Sequence, residues 1–154
     1  MIKVGEVKMA FKTEADMVEA IKRAEQIHNF MISGKSMMQE QVAGFFGVPD
    51  IIFIKKNKEK QISYAYEAKL SNWTRALTQA FRYKAFVNKS FVILDHDHIE
   101  PALSNTDKFC KANVGLISID DSGSIHCHYN PFFEKPYSPR LEEKFNEKIS
   151  NMIG

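Results

Sequence analysis

The stretch of residues 47–69 constrains the fold of this chain more than any other part of the sequence. It reads GVPDIIFIKKNKEKQISYAYEAK. Residues 51–54 form an unbroken apolar run, typical of a strand that is buried on both faces, and they directly follow Pro49-Asp50. The hydrophilic connection KKNKEK then leads into a second segment with a period of two. We therefore predict a hairpin of two strands.

The alternation in the second strand sorts its side chains onto two faces. One face carries the larger apolar residues, namely Ile62, Tyr64 and Tyr66. The other face carries small and ionisable residues, namely Ser63, Ala65, Glu67 and Lys69. A carboxylate and an amine are thus predicted side by side, next to the strand that Asp50 opens.

Asp50, Glu67 and Lys69 together resemble the active-site signature of the PD-(D/E)xK nuclease superfamily. The PD is Pro49-Asp50 and the ExK is Glu67-Ala68-Lys69. The resemblance implies metal-dependent phosphodiester hydrolysis, in which a divalent cation polarises the phosphate and lowers the pKa of an attacking water. Mg²⁺, or Mn²⁺ in its place, prefers hard oxygen ligands, and the expected ones are Asp50, Glu67 and the carbonyl of Ala68. Lys69 would orient the water and stabilise the developing charge.

Each half of this signature has an ordinary interpretation when it stands alone. An ExK tripeptide is often a solvated pair at a strand edge, and a PD dipeptide is usually a turn. The combination favours a nuclease because each half falls on the strand that the chemistry requires. Two other functions stay open, a non-catalytic nucleic-acid-binding module on the same fold and a Zn²⁺-stabilised interaction domain.

A helix is predicted over residues 14–31, with Thr13 and Asp16 as a capping box. Its apolar stripe consists of Met17, Ile21, Ala24, His28 and Met31. Many members of the superfamily carry an additional acid on this first helix, facing the site. Glu14 is our first choice for it and Glu25 the second, and the alternative is that both are solvated rim carboxylates. His28 is interpreted as a packed histidine rather than as a ligand.

Residues 35–48, KSMMQEQVAGFFGV, are predicted to form an exposed or edge strand before the hairpin. Glu40 in this segment is a weak candidate for approaching the metal, because an isolated strand glutamate is usually solvated. Gly44 and Gly47 predict a bend or bulge that brings Asp50 into the site at the beginning of a strand.

The period changes to that of a helix over residues 72–88, NWTRALTQAFRYKAFVN. Its apolar stripe consists of Trp73, Ala76, Leu77, Ala80, Tyr83 and Val87. Arg75, Gln79 and Arg82 occupy the other side, and the two arginines are predicted to contact phosphates. Gln79 and Tyr83 form a QxxxY pattern, which in some exonuclease branches of the superfamily helps to hold the site and the phosphate. The alternative is that Tyr83 packs in the core and Gln79 is simply a good helix former.

The apolar segment SFVILD adds a further strand, so residues 13–95 follow the αβββαβ order of the superfamily core. The resemblance implies a single α/β domain of the restriction-endonuclease-like fold, with a mixed central sheet flanked by helices. No strongly basic arm precedes the first helix, which argues against a four-way junction as the substrate.

Residues 96–154 are expected to elaborate this core with a helix, a hairpin and a final helix. A helix is predicted at 99–111, and a hairpin turns at residues 121–123. His96 and His98 fall in a loop, whereas His126 and His128 share a strand face. With Cys110 or Cys127 the second pair could bind Zn²⁺, although such pairs are usually surface histidines. The final helix has a narrow stripe, Leu141, Phe145 and Ile149, that would pack on the domain or on a second copy.

Net charge and cysteine content indicate what kind of partner the protein binds and in which compartment it works. The net charge of +2 means that an anionic polymer needs a local basic patch rather than a global field. The two cysteines form no closely spaced framework, and no apolar segment resembles a signal peptide or a membrane span, so we expect a cytoplasmic protein without a membrane partner. The predicted partner is DNA, in repair, recombination or restriction. A homodimer is expected if both strands of a duplex are cut.

Overall fold

The sheet and its helices establish the α/β class that the sequence predicts. The computed structural model describes residues 9–24, 35–40, 47–56 and 61–153, with the backbone alone at 35–40, 56, 152 and 153. The strands are β1 (Lys35–Glu40), β2 (Ile51–Lys56), β3 (Gln61–Lys69), β4 (Lys89–Asp95), β5 (Gly115–Ile119) and β6 (Ile125–Tyr129). The helices are α1 (Glu14–Arg23), α2 (Trp73–Tyr83), α3 (Glu100–Leu103), α4 (Thr106–Ala112) and α5 (Pro139–Ile153), with a 3₁₀ turn at His96–His98.

The six strands lie in the sheet in the same order as in the chain, from β1 at one edge to β6 at the other. β1, β2 and β3 are antiparallel neighbours, β3, β4 and β5 are parallel, and β6 returns antiparallel to β5. Each parallel connection needs a crossover, and α2 supplies the one between β3 and β4. The sheet is therefore open and mixed, and the edge position expected for residues 35–48 is confirmed for β1.

Helices cover both faces of this sheet, which explains why residues 51–54 of β2 are all apolar. Ile51 and Phe53 pack in the cluster that contains α1, whereas Ile52 and Ile54 face Phe145 of α5. α2, α3 and α4 cover the second face beside α5. The predicted burial of residues 51–54 on both faces is confirmed, because all four side chains are at most 2% exposed.

The first helix begins where the sequence predicts but is shorter. The Thr13 side chain accepts a hydrogen bond from the backbone N–H of Asp16, which confirms one half of the capping box. Met17 and Ile21 are buried against the sheet. The helix ends at Arg23, and Ala24 already has extended backbone angles, so the prediction of one continuous helix through Ala24 is wrong. The rest of the predicted range, residues 25–31, lies outside the described residues. Apolar periodicity predicts which residues are buried but does not mark where a helix ends. The sequence pattern therefore did not predict the end at Arg23.

Several predicted features of this region lie outside the described residues. They are Glu25, His28, Met31 and Gly44, together with the side chain of Glu40.

The C-terminal part follows the prediction except in its first helix. Residues 99–111 form two short helices, α3 and α4, instead of one. The Asn105 side chain donates to the carbonyl of Pro101, a local bond that competes with continuation of the helix. The hairpin between β5 and β6 is confirmed, with Gly123 at φ +83° in its turn. Phe145 and Ile149 of α5 are fully buried, so this stripe packs on the domain. None of the helices in the described ranges is long and apolar enough to cross a membrane.

Candidate active site

Asp50 lies one residue before β2, at the end of its ladder with β3. The register pairs Ile51 with Tyr66, so continuing it by one residue sets Asp50 opposite Glu67. The backbone N–H of Asp50 donates to the carbonyl of Tyr66 (3.1 Å), and Oδ2 of Asp50 accepts from the N–H of Ala68 (2.8 Å). The carboxylate is therefore held by main chain on the neighbouring strand, with one oxygen committed to that bond.

Glu67 is held from the opposite side by a tyrosine of α2. The Tyr83 hydroxyl donates to Oε1 of Glu67 (2.6 Å) and also lies 3.0 Å from the carbonyl of Val48. Gly47 makes this approach possible. Its φ is +93°, and a Cβ there would lie 2.8 Å from the Tyr83 ring, closer than side-chain carbons come. The bend predicted from the glycines thus exists at Gly47, and its effect is to let the tyrosine reach the carboxylate.

Lys69 and Glu14 complete the cluster, which we call the acidic site and define as Glu14, Asp50, Glu67 and Lys69. The Lys69 ammonium lies 3.7 Å from Oε2 of Glu67 and 3.8 Å from Oε2 of Glu14. These distances are too long for strong direct hydrogen bonds, so the ammonium balances the two carboxylates at a distance. Glu14, chosen from the sequence as the helical acid that faces the site, is the residue that α1 brings to Lys69.

The acidic site holds more negative charge than its one lysine can balance. Burial raises the pKa of Glu67 to about 7, against the opposing hydrogen bond from Tyr83, and the neighbouring charge of Asp50 adds to the rise. Burial likewise raises the pKa of Asp50. Two carboxylates that resist ionisation beside each other indicate a place where a further positive charge would be stabilised.

The chemistry of the donor set fits a hard divalent cation. Within the described residues, Oδ1 of Asp50 and Oε2 of Glu67 accept no hydrogen bond, so each carboxylate keeps one oxygen for another ligand. Ala68, whose carbonyl was the third expected ligand, directly follows Glu67 and is buried. No group of three or more His, Cys, Asp and Glu side chains in the described ranges is arranged to hold a metal ion. Two carboxylates plus waters is nevertheless the usual ligand set for Mg²⁺.

Helix α2 presents its predicted polar residues in two different environments. Arg75 and Arg82 are exposed, as phosphate contacts must be. Gln79 is half-buried, and its Oε1 is buried without a hydrogen-bond partner among the described residues. Tyr83 is 1% exposed and stands behind Glu67, so its place in the structure is that of a residue holding the carboxylate.

The C-terminal histidines form a separate cluster around Ser118. The Ser118 hydroxyl lies 2.7 Å from Nδ1 of His96 and 2.8 Å from Nε2 of His128. The His126 ring stacks on His96 with 4.1 Å between centroids, and its Nε2 lies 2.8 Å from Oδ2 of Asp120. The prediction that His126 and His128 share a face is confirmed, because both contact or approach His96.

One ring nitrogen of each of these three histidines is bonded to Ser118 or Asp120, and the His96 ring is stacked with those of His126 and His128. Cys110 and Cys127 are free thiols with exposed side chains. No role was predicted from the sequence for Ser118 or Asp120. Strand alternation could nevertheless have placed Ser118 on the sheet face that carries the histidines of β6.

No protein-family model matches the sequence, and no curated protein is significantly similar to it. The interpretation of the site therefore depends on its own geometry: an α/β protein with paired carboxylates and a lysine where β2 begins and β3 ends.

Proposed function

We propose that the protein is a metal-dependent deoxyribonuclease that hydrolyses phosphodiester bonds at the acidic site. The observation that carries this proposal is the convergence of Asp50, Glu67 and Lys69 from two neighbouring strands, joined by Glu14 from α1. Residues that are distant in the sequence meet here with the charge balance that a cation and a phosphate require. The order α1-β1-β2-β3-α2-β4 also supports a restriction-endonuclease-like core.

Asp50 and Glu67, with the carbonyl of Ala68, would hold Mg²⁺ or Mn²⁺. Such a cation, when bound, acts as a Lewis acid on the phosphate and lowers the pKa of a coordinated water. The raised pKa values of both carboxylates support this role, because a bound cation favours their ionised forms.

The remaining residues of the chain orient and stabilise. Lys69 donates to the phosphate and the attacking water, and its charge offsets the negative charge that develops on phosphorus-bound oxygen. Glu14 keeps the ammonium of Lys69 turned toward the site. Tyr83 fixes the rotamer of Glu67, since its hydroxyl holds the oxygen that points away from Lys69.

The direct test is incubation of the purified protein with plasmid and with linear DNA in Mg²⁺, in Mn²⁺ and in EDTA. We expect cleavage in the presence of either metal and none with the chelator. The Glu67→Gln variant is the control for a contaminating nuclease, because its preparation would carry the same contaminant. Metal-dependent cleavage that persists at the wild-type rate in this variant contradicts the proposal.

A nucleic-acid-binding module on the same fold is the second candidate, and exposed Arg75 and Arg82 favour it. Its signature would be DNA binding without turnover in any metal. The described residues of each chain form one acidic site, so cutting both strands of a duplex would suggest a homodimer. Light scattering at micromolar concentration, with and without DNA, tests this: a monomeric mass in both conditions argues against the dimer.

A further inference from the structure

Exposed aromatic rings concentrate in one part of the described surface. Six large apolar side chains are exposed among all the described residues, and four of them are aromatic: Phe81, Phe132, Phe133 and Tyr137. Phe81 lies on α2 and the other three lie on the loop between β6 and α5. The Phe81 and Tyr137 rings touch, with centroids 5.8 Å apart and planes tilted by 53°. We call this pair the aromatic platform.

Contacts with the Lys84 side chain and with the backbone of the residues after α2 hold the two rings of the platform in place. The buried Lys84 ammonium lies 5.7 Å from the Phe81 centroid and 5.1 Å from that of Tyr137. The backbone N–H of Tyr137 donates to the carbonyl of Lys84, and the next residue, Ser138, bonds Ala85 in the same way. Rings that are exposed yet fixed lose little conformational freedom when they bind a ligand, so the platform is preorganised for stacking.

The platform is connected to the acidic site across the surface of α2. Successive helical residues are rotated by about 100°, so Gln79 lies beside Tyr83 on the side of Glu67. Arg75 and Arg82 follow next around the helix, and Phe81 lies on the side opposite Tyr83. A chain leaving the acidic site over α2 would meet the arginines first and the platform second.

The two segments that carry the platform, α2 and residues 131–140, contain more basic than acidic residues. Helix α2 contains no acidic residue. The segment 131–140 contains a single acid, Glu134, and its carboxylate is already bonded to Lys84 and Asn113. Arg82 and Lys135, by contrast, are exposed close to the rings in sequence.

We propose that the aromatic platform binds unpaired nucleobases by stacking, so that the substrate of the acidic site is DNA with a single-stranded segment. The inference rests on the proposed function for the reaction, but the binding itself does not depend on turnover. Aromatic rings beside a basic surface bind single strands without sequence preference, because every base offers a π face. Paired bases are stacked inside the duplex and cannot reach the platform.

Binding of labelled oligothymidine, measured by fluorescence anisotropy in Ca²⁺ to suppress cleavage, tests the proposal. An abasic strand of equal length carries the same phosphates without bases, and a blunt duplex carries only paired ones. We expect wild-type protein to bind oligothymidine more tightly than the abasic strand by roughly 5- to 150-fold for each stacked base. The double variant Phe81→Ala with Tyr137→Ala should lose this difference and keep its affinity for the abasic strand.

A second variant separates stacking from plain apolar contact. Phe81→Leu with Tyr137→Leu keeps a cover over Lys84, so the fold is preserved, but it removes both π systems. Like the alanine variant, it should lose the preference for oligothymidine over the abasic strand, whereas Met9→Ala, a change at another exposed apolar residue, should behave as wild type.

The inference is overturned if the leucine variant binds oligothymidine like wild type, or if wild type does not distinguish oligothymidine from the abasic strand. It is also overturned if the variants change only the molecular mass in light scattering, which would make the platform a protein contact. Absence of metal-dependent cleavage by wild type would instead refute the proposed function and leave stacking intact.

Discussion

The acidic site and a second polar cluster, the Lys84 network, place charged groups in the same interior with opposite results. The Lys84 network consists of Lys84, Asn88, Asn113 and Glu134. The fully buried Lys84 ammonium donates to Glu134 and to the carbonyl of Ala112, both at 2.7 Å. The bond from Lys84 to Glu134, together with one from Asn113, lowers the pKa of Glu134. In the acidic site, ion-pair distances are 3.7 and 3.8 Å, and burial raises the pKa of both Asp50 and Glu67.

The difference distinguishes charges that support the fold from charges available for chemistry. Lys84 and Glu134 form a short ion pair that links the loop before α5 to the end of α2. Each charge of this pair therefore has its partner within the fold. Asp50 and Glu67 compete for one lysine that they share with Glu14, and such perturbed carboxylates cluster at functional sites. The predictions below separate the two regions by what each variant loses.

The largest effect is expected for Lys69→Ala. Cleavage should fall by a factor on the order of 100 to 1,000, the usual loss when one group that stabilises a developing anion is removed. Metal binding should persist or tighten, because a positive charge near the cation is gone. Parallel measurement of cleavage rate and calorimetric metal affinity checks both expectations.

Asp50→Asn and Glu67→Gln are the matched controls for Lys69→Ala. Each removes a hard ligand, so metal affinity and cleavage should fall together, and all three variants should stay folded. Undiminished cleavage in Lys69→Ala, or metal affinity indifferent to both carboxylates, would refute the nuclease mechanism in favour of the binding module.

Variants of the Lys84 network should lose stability, whereas variants of the acidic site should lose activity. Glu134→Ala leaves a buried ammonium without its counter-charge and is expected to lower the free energy of unfolding by about 3–5 kcal/mol. Urea denaturation gives this value. Adding Lys84→Met removes the stranded charge, so the double variant should recover part of the loss. A double variant less stable than Glu134→Ala would show that Lys84 acts through packing rather than through its charge.

Whether a region can be predicted from the sequence depends on how far apart in the chain its contacting residues are. Asp50, Glu67 and Lys69 were predictable because strand alternation is local and fixes which side chains share a face. Glu14 was predictable from the helical period, although the end of α1 at Arg23 was not. Sequence periodicity carries the burial pattern but not the local backbone angles at Ala24.

The Lys84 network was missed because its members interact across large separations. Lys84 contacts Glu134, 50 residues away, and reads in the sequence as one more polar position near the end of a helix. The same holds for the bond from Tyr83 to Glu67, in which the decisive feature is the absence of a Cβ at Gly47. Contacts of this kind depend on how β strands and α2 pack, which no local pattern records.

The pH dependence of stability should have opposite signs in the two regions. The pKa of Glu67 rises from 4.5 to about 7 on folding, so the folded state binds more protons between these values and becomes less stable as pH rises through them. The decrease is on the order of 3 kcal/mol. The pKa of Glu134 is lowered, so its contribution is present above its ordinary value of 4.5 and is lost as pH falls.

Urea denaturation in EDTA, from below pH 4.5 up to pH 8, measures these contributions. Glu67→Gln should flatten the loss on the alkaline side, and Glu134→Gln should flatten the loss on the acid side. Mg²⁺ should restore stability at pH 8 in wild type but not in Glu67→Gln. An unchanged profile in Glu67→Gln would show that burial does not perturb this carboxylate as inferred.

The smallest effect is expected at the exposed arginines, which lie outside both regions but on the helix that joins them. Arg75→Ala with Arg82→Ala should weaken binding of all DNA sequences alike, by roughly tenfold at low salt, because two phosphate contacts are lost. The slope of log affinity against log salt should flatten by about 2, one for each contact. Anisotropy titrations at several salt concentrations, on two unrelated sequences, measure both quantities.

Thr74→Ala with Thr78→Ala is the matched control, since it alters the exposed side of the same helix without changing its charge. If the arginine variant instead changes sequence preference and keeps the salt slope, Arg75 and Arg82 contact bases, and the path from the acidic site across α2 would not follow a phosphate backbone.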